Sequence, residues 1–349
     1  MSATIELEHI KDFLLKLLNT PSPTGNTDAA IKLVAAEFAE LGLQPRRTVK
    51  GGLLAVLPGK TTLPPRAITA HVDTLGGMVK EIKKDGRLLI SSLGGYYPGS
   101  IAGEYCTIET TAGQTFSGTV LLEKQSVHIF GMTDVHDTAK KLSTLEVRVD
   151  ARTRSKEETA ALGIQVGDFI SWDPRAQITS TGFIKSRHLD DKAGVAAMLA
   201  AARALTRQNL SAARTTYLHV SAYEEVGHGG AAGIPAKAEE LLVIDMGAVG
   251  EGQAGDEFGV SICVKDNSGP YDLQLRRQLV ALAQAEEIPY NLDIYVNYGS
   301  DGSAALRAGA NMRVGLIGPG VDSSHAYERT HHDSILNTAR LIAAYLQSE

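Results

Sequence analysis

Apolar runs that read as buried strands alternate with helical stretches along much of this chain, and several of those runs end on an acid or a histidine. Arg66–Ala70 leads as a strand into His71, and Thr215–Tyr223 ends against Glu224-Glu225. The run LLVI ends in Asp245, and Arg313–Ile317 passes through a Gly-Pro-Gly loop to His325. Helical patterns cover Asp191–Arg207, Tyr271–Glu287, Asp301–Ala308 and Ser334–Gln347, with strands at Leu292–Val296 and Phe258–Val264. Near the start, Leu7, Ile10, Phe13, Leu14 and Leu17 recur at helical spacing. Such alternation predicts an α/β fold: a mixed, largely parallel sheet flanked by helices on both faces.

The texture changes between about 73 and 176. KKDGRLLI (83–90) reads as a hairpin with Asp-Gly at its turn. Short strands follow at Thr119–Glu123 and Leu145–Val149, with one short helical stretch at Lys156–Leu162. The expected organisation is one discontinuous α/β domain, 1–72 and 177–349, interrupted by a small β-rich inserted domain, 73–176.

Composition narrows the partners. The net charge of −6 over 349 residues argues against nucleic acid, which needs a basic face. Cys106 and Cys263 stand far apart with no CxxC, as in a reducing compartment. The N-terminus interleaves charges with apolar residues, so no signal peptide is expected. The longest apolar run, Ala193–Ala202, is too short to span a bilayer. These features predict a cytoplasmic protein with no membrane partner.

Ligands of open α/β sheets bind beyond the carboxyl ends of the strands. His71, Glu224-Glu225, Asp245 and His325 all fall there, and Asp190-Asp191 opens the Ala-rich helix, where carboxylates suit the positive end of the dipole. Imidazole and carboxylate together suit zinc, cobalt or manganese, and the lack of Cys ligands disfavours a closed structural zinc site. Two metals about 3.5–4 Å apart share a bridging acid and need two further acids and two His. Asp73, two residues past His71, would share its side and hold its ring. In Glu224-Glu225 one acid would bind metal while the other takes a proton.

Blander readings stand beside these. Acids at a helix start are ordinarily caps. His331 and His332 compete with His325. His128 and His136 fall in the insert, and His219 reads as a core residue within a strand. Residues 250–255 fit GxGxxG, but a strand follows where a dinucleotide site needs a helix. No HExxH, Walker loop or GxSxG is present.

Five blocks, AHVDTLGGMV (70–79), HLDDKAGVAAML (188–199), YEEVGHGGA (223–231), VIDMG (243–247) and SSHAYERTHHD (323–333), resemble in order those of the TET-type aminopeptidases. These are related to glutamyl aminopeptidases and to the wider clan of dinuclear zinc exopeptidases. The resemblance implies a metallo-aminopeptidase that hydrolyses N-terminal peptide bonds with two divalent metal ions, zinc or cobalt before manganese. It implies that His71 and Asp245 hold one metal, Glu225 and His325 the other, and Asp190 bridges them. Glu224 would be the general base and Asp73 would support His71. The insert would serve assembly of a homo-oligomer, often a dodecamer.

Two positions depart from the pattern: Thr74 stands where relatives carry an acid, and HAYERTHHD replaces an HxPxE-like run. The variant blocks resemble a subgroup linked to biosynthesis of the osmoprotectant N-acetylglutaminylglutamine amide. Two alternatives follow: an amidohydrolase acting on a small acylated or amidated dipeptide, or an endoglucanase-like glycan hydrolase.

Overall fold

The computed structural model describes residues 3–349, so the first two residues of the expected 1–72 segment lie outside it. The chain forms two compact units. One comprises the residues up to Asp73 together with Arg175–Glu349, and the other is Thr74–Pro174.

The larger unit is built on a mixed sheet. Its centre is four parallel strands in the order Ala212–Ser221, Gly59–His71, Glu240–Ile244, Arg313–Asp322. Leu53–Leu57 and Val260–Asp266 flank them antiparallel. The inner stretches of the central strands are buried on both faces because both are covered. Leu242 and Ile244 join one core cluster with Ile68, Leu218 and Ile317, while Leu241 and Val243 join a second with Ala67, Tyr217 and Leu316. That alternation is the period of two that a strand imposes.

Helices Leu7–Leu18, Leu189–Arg207 and His332–Gln347 pack into the first cluster. Almost every side chain of Leu189–Arg207 is buried, and its run of Ala lets it lie close to both neighbours.

Two sequence expectations need correction. The Gly-Pro-Gly segment is strand, since Arg313–Asp322 is continuous through it. A Cβ on Gly318 would lie 1.8 Å from the Asp245 carbonyl oxygen, so glycine here permits a close backbone approach that lets the strand continue. The insert also contains a helix, Val127–Asp137, that the sequence did not announce. It buries no residue and is interrupted at Gly131 (φ 77°), so it has no amphipathic stripe to detect.

The smaller unit is a closed six-stranded barrel, ordered Gly76–Ile82, Leu88–Leu93, Leu145–Val149, Thr115–Leu122, Tyr105–Glu109, Phe169–Trp172. Its own core holds Val79, Ile90, Ile108, Val147, Ile170 and Trp172. Closure leaves no free sheet edge. Gly86, at φ 80°, makes the Asp-Gly hairpin turn, donating its N–H to the Lys83 carbonyl. Among the described residues, no helix is long and apolar enough to cross a membrane.

Candidate metal centre

The four parallel strands deliver their carboxyl ends to one region of the larger unit. His71 is the last residue of its strand and Asp245 directly follows another. Glu224 and Glu225 lie three and four residues beyond Ser221, and His325 three beyond Asp322. Asp190 belongs to the irregular lead-in of its helix, where it and Asp191 depart from helical angles.

The five histidines and acids nominated as ligands form two overlapping groups. His71, Asp190 and Asp245 bring ligand atoms within 4.8 Å of one another, and so do Asp190, Glu225 and His325. Asp190 is common to both. Its Oδ1 is 3.2 Å from His71 Nε2, and its Oδ2 is 3.5 Å from His325 Nε2. Glu225 Oε2 is 3.4 Å from His325 Nε2. Glu224 stands beside the first group, its Oε2 3.8 Å from His71 Nε2.

Asp73 faces His71 through both its backbone and its carboxylate. The His71 Nδ1 hydrogen-bonds the backbone carbonyl of Asp73 at 3.0 Å, while the carboxylate lies 3.6 Å away. That carboxylate also accepts the backbone N–H groups of Glu224 (3.1 Å) and Glu225 (3.2 Å) and the Thr24 hydroxyl (2.8 Å).

Three further buried carboxylates act in the same way and went unassigned in the sequence. Asp191 accepts the His71 N–H at 3.2 Å. Glu328 accepts the N–H of Asp190 through one oxygen and that of His325 through the other, both at 3.1 Å. Asp301 accepts the Gly230 N–H at 2.6 Å, in the loop that carries Glu224. The signal available was adjacency: Asp191 follows Asp190, and Glu328 lies three residues after His325. Asp301 follows the N-cap Ser300 and reads as an ordinary first-turn acid.

Backbone geometry is specialised here. His325 (φ 63°) and Ser323 (φ 59°) adopt left-handed conformations, which cost a side-chain-bearing residue and cluster at functional sites. His331 and His332 form a separate group with Asp333. His331 is already engaged, accepting the Asp333 N–H and bonding the Thr181 carbonyl. His128 and His136 are exposed, and His219 is buried within its strand.

Crowded carboxylates shape the electrostatics. Burial pushes Asp245 up to about 8, helped by the charge of Asp190. Burial also drives Glu224 and Glu225 well above the ordinary carboxylate range, with neighbouring acids adding to it. Burial opposes charge on Asp190 too, yet hydrogen bonds from His325 and His71 hold it well below that range. Four acids in one desolvated space are costly unless cations neutralise them. This donor set, oxygen and imidazole without sulfur, fits divalent cations.

Asp190, Glu224, Glu225, Asp245 and His325 line a cavity of about 560 Å³. Residues 295–300, Ser303 and Arg307 contribute much of the remaining wall. The volume is that of a small-molecule or peptide-end pocket.

A pocket lined by acids and a histidine beyond the carboxyl ends of a mixed α/β sheet, in a chain with a barrel inserted after the first of those strands, defines a class that also appears among known proteins. Residues 51–341 match the M42 glutamyl aminopeptidase family, and the chain belongs to that family. It is 50% identical over 337 residues to a Bacillus subtilis (strain 168) protein bearing an aminopeptidase name, YhfE, covering 97% of each chain. The fold is shared with the TET aminopeptidase of the marine sediment archaeon Thaumarchaeota archaeon SCGC AB-539-E09. There the TM-score is 0.87 at 20% identity, covering 97% of this chain and 96% of that one. It is also shared with the Pyrococcus horikoshii TET1 peptidase, described as assembling into a tetrahedron or a large octahedral shell. That comparison gives TM-score 0.85 at 19% identity, over 97% and 100% of the two chains. The chain is thus an aminopeptidase-family hydrolase.

Proposed function

We propose that this protein is a dinuclear metallo-aminopeptidase in which His71 and Asp245 hold one cation, Glu225 and His325 the other, and Asp190 bridges them. The observation that carries the reading is the sharing of Asp190 between two three-residue ligand groups. When bound, two divalent cations supply Lewis acidity to the scissile carbonyl and to a water molecule.

The chain's own groups then do the rest. Glu224 takes a proton from water as its oxygen adds to the carbonyl carbon, and delivers that proton to the amine as the C–N bond breaks. Its side chain is only 14% exposed, and burial raises its proton affinity above that of an ordinary carboxylate. Asp73 keeps Glu224 and Glu225 in register by holding both backbone N–H groups. The acidic floor suits a substrate's free N-terminal ammonium. Zinc or cobalt is the proposed metal. A homo-oligomer, up to a dodecamer, is the proposed assembly, by analogy with the TET1 shells. Two buried free thiols, Cys106 and Cys263, accord with a cytoplasmic location.

The test is Glu224→Gln. Turnover of a peptide panel falls by about 10²–10⁴-fold, while metal analysis still finds two ions per chain. Undiminished turnover would remove Glu224 from the base role. Asp190→Asn should weaken both metals together. Including N-acetylated peptides separates an aminopeptidase from an amidohydrolase of blocked peptides. Chelator-resistant cleavage of a glucan would replace both readings.

A further inference from the structure

The cavity wall opposite in chemistry to its acidic floor belongs to the short helix Asp301–Arg307. Ser300, Ser303 and Arg307 all line the cavity, and their spacing of three and four residues puts them on one face of that helix. Ser300 and Ser303 are buried and engaged in capping the helix. Arg307, one turn further, is exposed. It is the only Lys or Arg among the lining residues.

Arg307 is held but not neutralised. Its Nη2 donates to Asn267 Oδ1 at 3.2 Å, a neutral acceptor that fixes the guanidinium without cancelling its charge. Among the described residues no carboxylate lies within ion-pair distance of it, whereas Arg66, Arg87, Arg214, Arg313 and Arg329 all have one. A planar cation with free donors is suited to a carboxylate.

We propose that Arg307 receives a carboxylate of the substrate. The cavity then reads both ends of a short peptide, with the N-terminal amine at the acidic floor and a carboxylate at the rim. This inference rests on the aminopeptidase reading of the same site. Two sources share the chemistry: the free C-terminus of a short peptide, or an acidic side chain. The exposed placement of Arg307, one helical turn beyond the buried Ser303, favours the C-terminus, because the side chain next to the scissile bond meets the buried floor.

Four tripeptides distinguish the sources: Leu-Gly-Gly as free acid and as amide, and Glu-Gly-Gly and Gln-Gly-Gly as amides. The expected result with the metal-loaded enzyme is a preference of about tenfold or more for Leu-Gly-Gly acid over its amide, the scale of a hydrogen-bonded charge in a pocket. Arg307→Gln brings that ratio near one through KM rather than kcat, since the contact does not change during reaction. The control Arg277→Gln, at an exposed position outside the cavity, keeps the ratio. A preference confined to the Glu/Gln pair and abolished by Arg307→Gln assigns the carboxylate to the side chain. Equal rates within both pairs, or a preference that survives Arg307→Gln, overturns the proposal while leaving the aminopeptidase reading intact. Calorimetric binding of the same peptides to Glu224→Gln, with and without Arg307→Gln, reads the contact without turnover. If no free-amine peptide is cleaved, the aminopeptidase reading fails, and this binding series alone decides the role of Arg307.

Discussion

Glu328 holds two proposed ligands by their backbones at once, and that makes it the most economical place to disturb the centre without touching a ligand. Glutamine offers one acceptor oxygen where glutamate offers two, so Glu328→Gln releases the N–H of either Asp190 or His325. Metal affinity should fall about 10–100-fold, read by competition with a chromophoric chelator. Unchanged affinity would reduce Glu328 to a packing role. A second residue-scale expectation concerns His219. Burial, with Lys50 adding to it, lowers its pKa to about 4, against an ordinary value of 6.5. The unfolded chain therefore binds the extra proton first. Stability from this group is full above pH 6.5 and is lost as pH falls toward 4, amounting to about 3 kcal/mol. Urea unfolding across that window should be less pH-dependent in His219→Gln. At this scale the sequence was informative about residue type and position: the five nominated ligands fall into two groups that share Asp190. It was silent on direction. Nothing in the spacing announced that the Asp73 carboxylate would also hold the Glu224 loop, and Asp301 looked like an ordinary helix acid.

Elements carry the precision that residues need. The loop after the Ala212–Ser221 strand presents Glu224 and Glu225 and returns through Gly229-Gly230, where Asp301 holds it. A Cβ on Gly230 would stand 2.1 Å from the Asp301 backbone oxygen, which a flexible side chain cannot relieve. Gly230→Ala must therefore displace the loop. We expect a stability loss of about 1–3 kcal/mol and a larger effect on kcat, on the order of 10²-fold, because about 1 Å of misplacement suffices. Steady-state kinetics beside a thermal melt would check it; normal kcat with a lowered melt would detach the loop from catalysis. Strand and helix positions were mostly legible, since the inner stretches of the central strands are buried and largely apolar and the helices periodic. The exceptions have physical causes. Gly-Pro-Gly resembles a loop because its glycines serve close packing, and Val127–Asp137 has no buried face to betray it.

Across the whole molecule, the two units own separate apolar cores, and we expect them to unfold separately. Calorimetry should resolve two transitions. Ile108→Ala removes a fully buried side chain from the barrel and should cost that unit about 2–5 kcal/mol, lowering one transition and sparing the other. A single transition moving as a whole would argue for one cooperative body. The sheet order has a further consequence, for synthesis. The Gly59–His71 strand has both of its partners, Ala212–Ser221 and Glu240–Ile244, far downstream. At the usual pace of translation the ribosome needs about 10–30 s to deliver the first of them. During that interval a strand whose second half is destined for burial waits unpaired while the barrel sequence behind it emerges complete. The nascent chain is thus exposed to mispairing and to chaperones at the very segment that will carry His71, and slowing of translation between the two should be felt first in the yield of folded protein.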